Sequence, residues 1–278
     1  MIIKSDWHIH SEHSYDAQNA LELIVNNAKE QGLTKIGITD HVNFNDKKFL
    51  ADMKSSVKAV KEAQKTNAFM VLGVELTPIE KPEFDYIKKR GVRDGYVAPN
   101  LNSPFDIELA VSKSDLIKNG IRYAIGAAHW RVDVPSARYL SVDLEASIRE
   151  WHRQQMWLAN DERVTILGHP WYHGQGIWYE DFSLIPRSMH DEFIDAMKKS
   201  GKYVECNSHF FWIQTATEKF RHQYAEFLRE MFEKGIRITY GSDSHENYAD
   251  KRPLVEKYLV KVGFREGDFS ELTEEDLW

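Results

Sequence analysis

The chain has 278 residues, 42% hydrophobic and 28% charged, which is enough apolar material to bury a full core and excludes the low-hydrophobicity, high-charge composition of disordered chains. Its formal net charge of -7 excludes a global basic field for nucleic acid or an anionic membrane, so an anionic ligand needs a local positive centre. The lone cysteine, Cys206, excludes an internal disulfide framework, and with no signal-like N-terminal run and no apolar window of about 18 residues a cytoplasmic location is expected.

In chain order, short β-rich runs alternate with helix-like segments. Strands are predicted near 2–7, 35–39, 69–74, 122–127, 164–167, 203–206 and 236–240. Helices are predicted over 20–31, 47–66, 142–159, 190–200 and 217–234. In the first of these, Leu21, Ile24, Val25 and Ala28 recur at three- and four-residue intervals, and Gly32 supplies the stop. About seven strand-then-helix units argue for a parallel sheet, and closing it gives a TIM-type barrel with one unit fewer, folded as a single domain over 1–278. Two stretches break the rhythm as loop insertions, one near 77–103, rich in Pro, Gly and charge, and one near 131–141. Both follow strands, which puts them at the expected active-site mouth.

In such a barrel the chemistry sits at the C-terminal ends of the strands. His8 and His10 end the first strand, two residues apart on an extended segment, so both side chains face one way and can grip one ion. Asp16 follows in the next loop. His41, Glu75, His129 and His169 follow the second to fifth strands, Asn207 the sixth, and Asp243 and His245 the seventh, where the two-residue spacing is expected to repeat the His8/His10 geometry. Imidazole nitrogen and carboxylate oxygen with almost no thiolate suit Zn, Mn or Fe better than Ca or a structural cysteine site. Six histidines behind five strands, with carboxylates between them, are hard to obtain by chance, whereas a lone H-x-H is not. His152, His190 and His222 lie in or beside helical patterns and read as surface or helix-packing residues. His13, His173 and His209 lie just beyond ligand-bearing strands, where substrate contact or proton transfer is open to them. Cys206 reads as a small packed residue.

The stretch His8-Ile9-His10-Ser11-Glu12-His13-Ser14-Tyr15-Asp16-Ala17 resembles the opening motif H-x-H-T-x-x-S-x-D-G of the PHP (polymerase and histidinol phosphatase) family, with Ser11 and Ala17 as departures. Ile38-Thr39-Asp40-His41, Gly73-Val74-Glu75, Ile125-Gly126-Ala127-Ala128-His129, Leu167-Gly168-His169-Pro170 and Gly241-Ser242-Asp243-Ser244-His245 resemble its later motifs in order. The resemblance implies a distorted (β/α)7 barrel with up to three divalent transition metals. It implies that His8, His10, Glu75 and Asp243 hold one metal and that Glu75 bridges to a second held by His129 and His169. It implies further that Asp16, His41 and His245 hold the third, and that Asn207 stands behind the ligands or meets substrate.

Three divalent ions, three carboxylates and a hydroxide leave a charge of about +2, which suits a phosphate monoester dianion. The expected reaction is hydrolysis of a small phosphate monoester, histidinol-phosphatase-like, by a metal-activated hydroxide. His13 or His209 would serve the leaving group, and Arg131 would clamp the phosphate. The aromatic residues Trp130, Trp171, Tyr172, Trp178 and Trp212 are expected around the mouth. Alternatives are a PHP-type nuclease or phosphodiesterase, a catalytically silent metal-binding module, or a metal-dependent amidohydrolase. The acidic balance makes a nucleic-acid partner unfavourable, no membrane partner is expected, and the oligomeric state is left open.

Overall fold

The computed structural model describes residues 1–98, 106–132, 143–172 and 180–278. Its strands are β1 (Ser5–Ile9), β2 (Lys35–Ile38), β3 (His41–Val42), β4 (Met70–Leu76), β5 (Ile79–Glu80), β6 (Ile107–Glu108), β7 (Tyr123–Gly126), β8 (Ile166–Leu167), β9 (Tyr203–Asn207) and β10 (Arg237–Gly241). The α-helices are α1 (Leu21–Glu30), α2 (Lys47–Gln64), α3 (Lys81–Arg90), α4 (Lys113–Asn119), α5 (Leu144–Asn160), α6 (Arg187–Ser200), α7 (His209–Trp212), α8 (Glu218–Glu233) and α9 (Arg252–Leu259). Every predicted strand and helix is present.

The barrel path runs β1-β2-β4-β7-β8-β9-β10, and each pairing along it is parallel. It closes just beyond the last strand, where the Asp243 amide donates to His8 O (2.8 Å) and the His10 amide to Ser244 O (3.1 Å). The result is a nearly closed, distorted TIM-like barrel in one domain. Helices α2 and α8 join an apolar stripe to a side-chain cap. Asp46 accepts from the Phe49 amide at the start of α2, and Thr217 accepts from the Phe220 amide at the start of α8. Trp7, Val71, Tyr123, Ile125, Ile166 and Tyr203 fill the barrel axis together with Leu272 from the C-terminal segment.

One expectation needs correction here. The region near 77–103 is not one long loop. It contains the antiparallel pair β5–β6 and helix α3, which Pro82 starts and Gly91, with φ 75°, ends. Proline fits the first helical turn because that N–H has no intrahelical partner, so Pro82 starts this helix instead of breaking it. Residues 99–103 and 133–141 of the two expected insertions lie outside the described residues, as do His173 and Trp178.

Strand β1 also departs from simple alternation. Asp6 pairs with Ile36 and Ile9 with Ile38, so three steps along β1 match two along β2. This irregularity lets Trp7 pack in the barrel interior while His8 and His10, next along the chain, also turn to the axis. Ile9 packs outward with the helices.

His190 is a packing residue, as expected, but a deeply placed one, ringed by Trp171, Phe182 and Phe227. Burial, with help from Arg187, lowers its pKa to about 4. Its unfolded value is about 6.5, so the stability that the neutral ring contributes is complete above that pH and is lost as pH falls toward 4. His190→Leu is therefore expected to flatten the fall of Tm between pH 6.5 and 4 relative to wild type. Thermal melts across that range check this, and parallel curves for the two proteins would contradict it.

Candidate metal centre

The strand ends bring the predicted ligands into one cluster at the top of the barrel. His8 Nε2 and His10 Nε2 lie 3.0 Å apart, each 3.2 Å from Glu75 Oε2. Asp243 Oδ1 stands 3.4 and 3.2 Å from the same two nitrogens. The other Glu75 oxygen, Oε1, faces His129 Nε2 at 3.3 Å and His169 Nε2 at 3.1 Å. On the outer side, Asp16 Oδ2 lies 3.4 Å from His41 Nε2 and 3.6 Å from His245 Nε2, while His41 Nδ1 reaches Glu75 Oε2 at 3.0 Å. Geometry also allows the sets His10/His41/His245 and His41/Glu75/His129, so neighbouring groups share members.

These distances fit metal ligation better than hydrogen bonding. Glu75 Oε2 is buried and within 3.2 Å of three imidazole nitrogens, yet makes no hydrogen bond of acceptable geometry. Bonds of about 2.1 Å to a central ion put adjacent ligand atoms ~3.0 to ~3.4 Å apart in octahedral or tetrahedral shells. The tautomers point the same way. His8 Nδ1 donates to the acceptor-only Glu205 Oε1 at 2.7 Å. Thr77 Oγ1 donates to Asn43 Oδ1 and therefore accepts from His129 Nδ1 at 2.8 Å, and His245 Nδ1 donates to Asp243 O at 3.0 Å. In neutral His8, His129 and His245 the Nε2 lone pairs then aim at carboxylate oxygens, an arrangement that a cation resolves.

The electrostatics of the protein alone are those of packed opposite charges. Burial works against ionised Glu75, but the His41, His8 and His129 rings hold it well below the usual carboxylate range. Asp243 is depressed in the same way, chiefly by His8 and His10 against its own burial. Burial also opposes charging of His10, yet the Asp243 and Glu75 carboxylates beside its Nε2 raise it to about 9; burial and the His10 charge bring His41 down to about 4. Metal ions would take the place of those protons.

Beyond the ligands, the structure shows carboxylates whose roles have no local sequence signature. Glu205, on β9, binds His8 with one oxygen and the His169 amide with the other (2.6 Å). Its position two residues before Asn207, on the same strand face, is the only sequence signal for it. Asp40 accepts from the Ser11 amide and hydroxyl and from Ser56, which ties the loop after β1 to α2 and gives Ser11 its task. Asp6 joins the Ser242 amide to the Tyr248 hydroxyl, and burial raises its pKa to about 6.

The expectation that Asp243 and His245 repeat the His8/His10 geometry is wrong. Strand β10 ends at Gly241, and Asp243 has φ 53°, in the left-handed region. That turn sends Asp243 to the inner group and His245 to the outer one. His169 also has positive φ, 22°, so two cluster residues sit on unusual backbone.

The remaining predicted residues are spread out. Asn207 Nδ2 donates to Glu205 and to Asp243 Oδ2, behind the cluster. His209, Trp212, Asp243, His245, Glu246 and Lys251 line a cleft of about 530 Å³ beside the cluster. His13 instead meets Ser55 Oγ of α2 through Nδ1, and Arg131 is buried and already engaged. Of the expected mouth aromatics, Trp130 and Trp171 are core residues, while Tyr172 packs between His169 and His209 and Trp212 is 42% exposed. His152 and His222 pair with Glu192 and Glu218 on helices, outside the cluster.

The sequence profile of the PHP domain family matches residues 6–209. The chain belongs to the PHP domain family. The PHP match ends before Asp243 and His245, which the barrel nevertheless brings against the residues inside it. A probable phosphatase from Acetivibrio thermocellus is 36% identical over 118 residues, 42% of this chain. The match spans 44% of that protein, less than half its length. A solved histidinol phosphate phosphatase from Lactococcus lactis subsp. lactis, in complex with zinc, L-histidinol and phosphate, shares the PHP fold of this chain. Its TM-score is 0.64 at 19% identity, covering 99% of this chain and 98% of that one. No helix among the described residues is long and apolar enough to cross a membrane.

Proposed function

We propose that this PHP protein is a metal-dependent phosphoesterase acting on a small phosphate monoester, with histidinol phosphate the first substrate to test. The observation that carries the reading is the convergence of imidazole lone pairs and carboxylates on Glu75, whose two oxygens face different groups of histidines. In this reading His8, His10, Glu75 and Asp243 hold one ion, Glu75, His129 and His169 a second, and Asp16, His41 and His245 a third. The nitrogen and oxygen donors favour Zn, Mn or Fe. When bound, such ions supply a nucleophile at neutral pH and neutralise charge on the phosphoryl oxygens.

The chain's own residues do the rest. Glu205, Thr77 and the Asp243 carbonyl fix three imidazoles in one tautomer. The cleft beside Asp243 and His245 receives the leaving group, and Trp212 offers it an apolar face. His209 Nε2 is buried, with no hydrogen-bond partner among the described residues. Burial lowers its pKa, so the ring is neutral near pH 7 and serves as part of the cleft wall while solvent protonates the leaving oxygen. Arg131, buried and engaged, has no part in this scheme. The positive field stays local, which fits a small dianion in an acidic chain.

Protein purified from medium supplemented with Mn and Zn is expected to contain more than one transition metal per chain and to release inorganic phosphate from small monoesters. A chelator is expected to abolish the release, and the metal to restore it. Elemental analysis showing only Mg, or turnover indifferent to chelation, would overturn the assignment.

A further inference from the structure

Glu205 is fully inside the barrel, and both of its oxygens are committed. Oε1 accepts from His8 Nδ1 at 2.7 Å, while Oε2 accepts from the His169 amide at 2.6 Å and from Asn207 Nδ2 at 3.2 Å. His8 stands with Glu75 Oε2 and Asp243, whereas His169 stands with Glu75 Oε1 and His129. The two residues therefore lie on opposite sides of Glu75, and behind them Glu205 hydrogen-bonds both, His8 through its ring Nδ1 and His169 through its backbone amide. Its bond to the His169 amide falls where the backbone has positive φ, so it supports an otherwise unfavourable conformation. The neighbouring strand makes room for it: a Cβ on Gly241 would lie 1.8 Å from Glu205 Oε1.

We propose that Glu205 is a positioning residue shared by two metal groups, fixing the ring of His8 in one and the backbone of His169 in the other. The inference rests on the reading that the cluster holds metal. A carboxylate suits this place because it accepts at both oxygens, and every group facing it is a donor. An amide accepts at one oxygen and sets an NH2 against a donor at the other, so glutamine serves one side only. An apolar side chain serves neither.

The variants Glu205→Gln and Glu205→Leu, freed of metal and titrated with Zn²⁺ against a chromogenic chelator, test this without recourse to turnover. Loss of a group behind a ligand costs about 10- to 100-fold in metal affinity. Glu205→Leu is expected to weaken two ions by that factor, and Glu205→Gln one of them. A folded Glu205→Leu protein that binds the same number of ions as wild type with unchanged affinities, or that loses only one, would overturn the shared role. Wild-type NMR gives a measurement independent of how the variants fold. The His8 Nδ1 proton should appear at low field, and the His169 amide should exchange slowly, with and without Zn²⁺. Fast exchange at both would also overturn the proposal. Wild-type protein that takes up no Zn²⁺ would instead remove the metal reading itself.

Discussion

Glu75→Gln is expected to reduce turnover by well over about 100-fold, the upper end of what loss of a group standing behind a ligand costs, and to lower the metal content by more than one ion per chain. Glu75 is buried, with Oε2 within 3.2 Å of His8, His10 and His41 and Oε1 within 3.3 Å of His129 and His169. No other side chain in the cluster faces both sets with separate oxygens. Glutamine keeps the shape but replaces one oxygen by a donor that cannot ligate, and it removes a negative charge from among several imidazoles. Elemental analysis and phosphate release on the same preparation check this, with melts in chelator to show that the fold persists. Metal content and turnover within two-fold of wild type would place the metal site elsewhere.

What the sequence disclosed and what it withheld divide on physical lines. The strand ends were readable because each couples a short apolar run to a polar residue that a closed barrel would otherwise leave unexplained. That pattern places His8, His41, Glu75, His129 and His169 on one rim. Helix α3 was obscured by Pro82, whose meaning depends on whether it lies in the first turn or the middle of a helix. The left-handed turn at Asp243 was hidden because two-residue spacing implies a shared face only while the chain stays extended, and β10 ends at Gly241. Glu205 was hidden because its role lies in what it touches across the barrel, at His8 and His169, and neither contact has a local signature. The irregularity in β1 likewise depends on the register against β2, which no single strand encodes.

A small phosphate monoester is expected to be hydrolysed far faster than a single-stranded oligonucleotide, with only modest dependence on salt. Binding a nucleic-acid backbone over several phosphates requires a stripe of Lys and Arg, and each phosphate neutralised on a single strand adds about 0.7 to the slope of log affinity against log salt. The chain has 43 acidic against 36 basic residues. Its dense basic run, Lys88 to Arg93, lies at the end of α3, where Lys88 and Arg90 cover Phe84 and Tyr86 and Arg93 pairs with Glu83. Those contacts turn the run into a helix terminus and its packing, not a track leading to the cluster. Near the cluster, stacking surface is small as well. Trp130 stacks on Phe44 in the core and Trp171 is fully buried, so among the described residues Trp212, with Lys251 over its ring, is the exposed indole of the cleft. One exposed indole in a cleft of about 530 Å³ suits a single small leaving group better than a run of bases. Rates for histidinol phosphate, other small monoesters and a single-stranded oligonucleotide, each at low and high salt with the same metal loading, make the comparison. Faster cleavage of the oligonucleotide, falling steeply as salt rises, would reverse the assignment in favour of a nuclease.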